Sequence, residues 1–237
     1  MIVIPMAGLS RRFTEAGYAK PKYMLPLPGG TVFAHAVASF RSYFQSERFL
    51  FIARPVEETE AFVRAECAAL GVKFLQIHML NHMTAGQAET VEFGLKAEPC
   101  VSSEPVTIFN IDTFRPDFRF PEEPWWSTSH GYLEVFNGSG ANWSYVSPGP
   151  DGSDLVIETA EKQPISDLCC TGLYHFARAA DFHQALATER LEPSSTELYV
   201  APLYNHLIRI GRKIHYHLID RSQVIFCGVP IEYEKLL

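Results

Sequence analysis

Apolar positions in the first half of the chain come in two textures. Short unbroken runs at Ile2-Val3-Ile4, Phe49-Leu50-Phe51-Ile52-Ala53 and Val106-Thr107-Ile108-Phe109-Asn110 have the length of strands and no polar face. Strands of that kind are buried on both sides in a parallel sheet. Val72 to Leu80 reads as a further strand. Between these runs the apolar residues recur at helical spacing. Val32, Ala36, Val37 and Phe40 share one face of a helix over Val32 to Phe40, and helices are also expected over Glu57 to Leu70 and Gly86 to Leu95. Gly71 follows the second of these where a left-handed cap favours glycine. Such strand–helix alternation predicts a mostly parallel sheet covered by helices.

Beyond Asp112 the pattern changes. Phe114 to Pro124 is rich in proline and aromatic residues. Tyr132 to Phe136, Trp143 to Val146 and Leu155 to Thr159 read as strands. The turn signals Asn137-Gly138-Ser139-Gly140 and Asp151-Gly152-Ser153 divide them. Helices are expected over Ala179 to Leu186 and Tyr199 to Ile210, and a strand over Ile214 to Leu218. Trp125-Trp126 is expected in a loop packed over this second sheet. No internal repeat is present. One α/β domain over residues 1–237 is expected, its sheet extended by mixed or antiparallel strands in the second half.

The composition supports a packed domain, with 237 residues of which 47% are hydrophobic and 13% aromatic. A net charge of −7 argues against broad binding to nucleic acid or to an anionic membrane. No apolar run reaches the roughly 18–20 residues that cross a bilayer. The opening residues lack the features of a secretory leader. Five cysteines without framework spacing fit a reduced, cytoplasmic protein. Cys169 and Cys170 point to opposite faces if they lie in a strand, which suits core burial better than zinc. His215 and His217 share a strand face but have no third ligand nearby.

Against that acidic total, the first 22 residues are basic. Arg11, Arg12, Lys20 and Lys22 face the single acid Glu15, a local charge of +3. They follow a strand and the loop Ala7-Gly8-Leu9-Ser10. A plain turn gains nothing from clustered like charges. Loop amides converging with cations instead make an anion site. Neither the dinucleotide fingerprint nor the P-loop pattern is present. Asp112 ends a central strand, where α/β sheets place ligands, although it could simply cap a turn. Glu161-Lys162 could be a solvated pair, and Gln87 a surface helix residue.

Met6-Ala7-Gly8-Leu9-Ser10-Arg11-Arg12-Phe13 with Lys20-Pro21-Lys22-Tyr23-Met24 resembles the opening signature of the sugar-phosphate nucleotidyltransferase family, A-G-x-G-[ST]-R-[FL] followed by P-K-x-[LM]. Gly86-Gln87-Ala88, Asn110-Ile111-Asp112, Glu161-Lys162, Thr171-Gly172-Leu173-Tyr174 and Gly228-Val229-Pro230 resemble later segments of that family in the same order. The resemblance implies a Rossmann-like three-layer fold, with a nucleotide-binding half (1–112) and an acceptor-binding half (113–237). It implies that Ala7, Gly8, Leu9, Ser10 and Arg11 cradle a nucleoside triphosphate while Gly86 and Gln87 read its base. Arg12 and Lys22 are then the catalytic cations, Asp112 the ligand for Mg²⁺, and Glu161, Lys162 and Gly172 the acceptor site. Two positions depart from the pattern. Ser10 replaces the second loop glycine, which should restrict the backbone to ordinary angles. Phe226 replaces a second metal-binding aspartate, so either another acid such as Glu232 or Asp220 supplies that ligand, or one carboxylate and the phosphates hold the metal.

The implied reaction is attack of an acceptor phosphate on the α-phosphorus with loss of pyrophosphate. A phosphomonoester is already mostly dianionic at pH 7, so the chemistry needs charge neutralisation and in-line positioning rather than a general base. CTP is the first triphosphate expected, because the sequence shows neither a C-terminal β-helix nor long extra helices, with UTP and dTTP as alternatives. The acceptor is a phosphorylated sugar or small phosphomonoester, and the product serves capsule or other glycoconjugate synthesis. A glycosyltransferase is the competing enzyme, but Asn110-Ile111-Asp112 offers only one acid of its Asp-x-Asp motif. A non-catalytic nucleotide-binding regulator is the third reading. Neither nucleic acid nor membrane insertion is expected.

Overall fold

The computed structural model describes residues 1–56, 58–98, 102–150 and 152–237. Glu57, Cys100 and Asp151, expected in a helix start, a reduced cysteine set and a turn, lie outside the described residues. The chain divides into two compact units built from alternating segments. The first holds Ile2–Met83, Phe109–Arg119 and Ser222–Leu237; the second holds Met1, Thr84–Ile108 and Phe120–Arg221.

In the first unit the strands Ile2–Pro5, Arg48–Ala53 and Phe74–Met79 pair in parallel, with Ile4 opposite Phe51 and Phe51 opposite Ile77. The unbroken apolar runs of the first two are buried almost throughout, as expected. Phe74–Met79 differs, because it is partly exposed along its length. It ends the sheet, and Gln76 and His78 break its apolar run. The helix Val32–Ala38 is capped by Thr31, whose Oγ1 accepts the Ala34 N–H at 3.1 Å. It stops two residues before Phe40. Buried Ser39 there accepts the Arg115 N–H at 2.8 Å, and Phe40 packs edge-on against Phe49, Phe109 and Phe118. The helix Thr59–Leu70 ends at Gly71 with φ 82°, the left-handed cap that the sequence predicts.

In the second unit Gly131–Asn137, Ser144–Pro148, Val156–Glu161 and Leu168–Phe176 are joined by antiparallel pairing, and Ile214–Ile219 runs parallel to Gly131–Asn137. The register of Leu168–Phe176 shifts between Cys170 and Tyr174, where Gly172 has φ 95°. A bulge with that backbone angle favours glycine. Cys169 and Cys170 are both buried. Trp125 stacks on His215 at 4.7 Å, and Trp126 lies 5.0 Å from His175, so this pair does pack over the sheet.

Two helix boundaries move. The expected helix Ala179 to Leu186 continues to Leu191. The one expected from Tyr199 begins only at Leu203, because Pro202 has no N–H and starts a helix more readily than it continues one. Two five-residue helices, Arg11–Glu15 and Pro230–Glu234, are too short to leave a periodic signal. Among the described residues no helix is long and apolar enough to cross a membrane.

Candidate functional site

The first unit carries the basic loop. It leaves the strand Ile2–Pro5 and is tied down at its start, where Met6 N–H reaches Ile52 O at 2.8 Å and Arg54 Nε reaches Ala7 O at 2.9 Å. Gly8 is exposed, and a Cβ added to it would meet no heavy atom within 4 Å. Ser10 takes φ 52°, ψ 32°. This corrects the expectation from sequence, since the serine takes left-handed angles that favour glycine, at a cost of about 1–3 kcal/mol. Its carbonyl accepts from Phe13 N–H at 2.9 Å and Thr14 N–H at 3.1 Å, opening the helix Arg11–Glu15. Phe13 anchors that turn in the core against Tyr18 and Tyr233. Arg11 and Arg12 are thereby held outward and exposed. A cavity of about 160 Å³ is lined by Gly8, Leu9, Ser10, Lys20, Pro21 and Arg54. Lys20 and Arg54 make it a place for anions. Arg54 escaped the sequence reading, as a lone cation after a strand carries no spacing signal.

Lys22 and Asp112 belong to the same unit and form an ion pair, with side chains 20% and 21% exposed. The short pairing of Thr113–Phe114 with Ile225–Phe226 sets Phe226 opposite Thr113. Residue 226 is therefore next to Asp112 in the ladder, which is why an acid there would make a second ligand. Cys227 N–H continues the contact to Asp112 O at 2.8 Å. Burial and the Asp112 charge push the Cys227 thiol up to about 12, so it stays protonated. A Cβ on Gly228 would meet Asp112 Oδ2 at 3.2 Å and Glu232 Oε2 at 3.6 Å. The Glu232 carboxylate accepts the N–H groups of Gly228 and Val229 at 2.8 and 3.2 Å. Glu232 is thus beside Asp112 within this unit, while Asp220 is exposed. No cluster of three or more metal-binding side chains exists among the described residues. Two hard carboxylates still fit magnesium, which commonly takes one or two and fills its shell with phosphate and water.

The second unit carries the other candidates. Gly86 has φ 154°, and a Cβ there would lie 2.5 Å from Leu198 O. Leu198 bonds on both sides of it, from its N–H to Ala85 O and from Ala88 N–H to its own O, each at 2.9 Å. Only glycine fits between those backbones. Gln87 is the first residue of the helix Gln87–Ala97 and is partly exposed. Glu89 Oε2 accepts the Ala85 N–H at 2.6 Å, and Arg190 binds Glu89 and Glu92.

Glu161 ends the strand Val156–Glu161, directly opposite Ser144. It accepts the Ser144 hydroxyl, which is itself 3.2 Å from Tyr174 Oη. Burial raises the Glu161 carboxyl above its usual range, and the Ser144 bond and the Lys162 charge only partly offset it. Lys162 follows with φ 57°, a left-handed angle held at a candidate site. Its ammonium lies 3.8 Å from Glu161 and 2.6 Å from Tyr199 Oη. Burial alone would lower its pKa, but the bond to Tyr199 and the charges of Tyr199, Glu161 and Glu197 outweigh it, so the net shift is upward. Ser144 and Tyr199 were missed from sequence because only long-range pairing brings them here.

The whole chain superposes on solved structures. It is similar to a nucleoside-diphosphate-sugar pyrophosphorylase from Vibrio cholerae RC9, with 53% identity, a TM-score of 0.95, and coverage of 100% of this chain and 99% of that one. It is also similar to an inositol-1-phosphate CTP transferase from T. maritima, at 15% identity and TM-score 0.73, covering 98% and 90%. A UTP-bound UGPase from Acinetobacter baumannii matches at 16% identity and TM-score 0.70, covering 99% and 90%. The last two share the fold alone. No protein-family profile and no curated protein sequence matches the chain.

Proposed function

This chain belongs to the sugar-phosphate nucleotidyltransferase family, and on that premise we propose that it joins a pyrimidine nucleoside triphosphate to a sugar phosphate with release of pyrophosphate. The name of the Vibrio cholerae relative, a nucleoside-diphosphate-sugar pyrophosphorylase, supports a sugar phosphate as acceptor and disfavours glycosyl transfer or a regulator. A CTP transferase and a UTP-bound enzyme both share this fold. CTP, UTP and dTTP therefore enter the test equally, with the Gln87 amide able both to donate to and accept from a pyrimidine edge.

The observation that carries the reading is the exposed Arg11–Arg12 pair on a loop that lines a cavity together with Lys20 and Arg54. Arg12 and the amides of Gly8 to Arg11 would hold the β- and γ-phosphates, which leave as pyrophosphate. Lys22 would neutralise the α-phosphate, and Asp112 would compensate the ammonium until the triphosphate competes for it. Asp112, with Glu232 as the further acid, would hold Mg²⁺, which when bound supplies positive charge to phosphate oxygens. Lys162 would pair with the acceptor phosphate. Glu161, with the Ser144 and Tyr174 hydroxyls beside it, offers acceptors and donors to sugar hydroxyls. The acceptor dianion is its own nucleophile, so no side chain need remove a proton.

The product, a nucleotide sugar, would feed a glycosyl transfer in capsule or other surface glycoconjugate synthesis. Cys67, Cys169, Cys170 and Cys227 are free and buried, which suits a reducing cytoplasm. The test is a matrix of four triphosphates against sugar phosphates and other phosphomonoesters, read by pyrophosphate release with Mg²⁺. Turnover confined to sugar phosphates is expected. Release only with non-sugar acceptors would replace the substrate class, and none with any pair would remove the proposal.

A further inference from the structure

The stretch Glu197–Tyr199 precedes the helix that begins at Leu203, and it touches two of the groups assigned above. Leu198 is hydrogen-bonded through both its N–H and its C=O to the Gly86 loop. Its backbone is therefore fixed, and so is the start of Tyr199. The Tyr199 hydroxyl accepts from the Lys162 ammonium at 2.6 Å and donates to the Glu197 carboxylate. The same ammonium lies 4.5 Å from the centre of the Tyr199 ring. Glu161, at 3.8 Å, is too far to hydrogen-bond it.

Lysine is a compact charge on a flexible four-carbon stem, and the Lys162 side chain is 49% exposed. Left alone, it would spread its ammonium over many rotamers. A charge-assisted hydrogen bond to a hydroxyl carried by an anchored backbone selects a single position. We propose that Tyr199 is the positioning residue for the Lys162 ammonium at the acceptor phosphate. The proposal rests on the assignment of Lys162 to that phosphate, so its test must separate the two.

The full chain is assayed with the triphosphate and sugar phosphate that the pyrophosphate matrix ranks first. Tyr199→Phe keeps the ring and removes the hydroxyl. It should raise the acceptor KM about three- to tenfold, the worth of a partly exposed hydrogen bond to a charge. The triphosphate KM and the melting temperature should stay as they are, which a merely structural role would not produce. In a Lys162→Ala background the same change should add nothing. If Lys162→Ala raises the acceptor KM but Tyr199→Phe does not, positioning by Tyr199 is wrong and the acceptor assignment stands. If Tyr199→Phe acts equally with and without Lys162, the tyrosine touches the acceptor itself and the proposal also fails. An acceptor KM unmoved by Lys162→Ala overturns the assignment and the inference together.

Discussion

Lys22 and Asp112 illustrate how much a single pair of residues decides. Each is about four-fifths buried and each compensates the other's charge. Truncating one member of a mostly buried pair leaves the other charge uncompensated and costs some stability. Removing a preorganised charge from a reacting centre costs far more in rate. Lys22→Ala should keep the fold and lower kcat about a hundred- to thousandfold, the usual loss for one such electrostatic contact. Arg12→Ala, which removes an exposed cation from the loop, should lower kcat and also raise the triphosphate KM. Steady-state kinetics alongside a thermal melt checks both, and near-wild-type rates in both variants would move the active site away from this loop. At this scale the sequence was legible where charges cluster locally, as at Arg11 to Lys22. It was silent on Ser144, Arg54 and Tyr199, whose roles come from partners 17, 47 and 37 residues away.

At the level of elements, period and glycine were informative in different ways. Unbroken apolar runs revealed the parallel strands, because a strand covered on both faces has no polar side to show. The bulge at Gly172 and the late start at Leu203 were hidden, since each depends on what the backbone meets in three dimensions. Ser10 shows the limit of reading conformation from residue type. Its left-handed angles are imposed by the loop between a buried strand and the anchored Phe13. Ser10→Gly should therefore retain turnover without lowering the melting temperature, whereas Ser10→Val should cost about 1–3 kcal/mol and raise the triphosphate KM. Gly86 is the stricter case. Its missing Cβ leaves room for two backbone bonds to Leu198, so Gly86→Ala must push the loop and Leu198 apart. The expected result is a higher triphosphate KM with a changed ranking among CTP, UTP and dTTP, measured by kcat/KM for each. An unchanged ranking would mean that this loop does not read the base.

For the molecule as a whole, the informative quantity is the stabilisation each ligand confers, since a ligand that binds only the folded chain adds RT ln(1 + [L]/Kd). Asp112 is already paired with Lys22, and the Glu232 carboxylate already accepts two backbone N–H groups. No larger set of metal-binding side chains stands among the described residues. Mg²⁺ alone should therefore bind weakly and shift the melting temperature little, despite the net charge of −7. A triphosphate brings its own oxygens to complete the octahedral shell and can draw Lys22 away from Asp112. Mg²⁺ and triphosphate together should then stabilise by more than the sum of their separate effects. At a ligand concentration of about 100 Kd the gain is about 2.7 kcal/mol, or roughly 5–10 °C for a chain of this size. Asp112→Asn should remove the synergy while leaving the unliganded melting temperature close to wild type. Repeating the melts with CTP, UTP and dTTP ranks the bases independently of turnover. If Mg²⁺ alone gave the full shift, and Asp112→Asn kept it, the metal would sit on other residues and Asp112 would be left as the partner of Lys22.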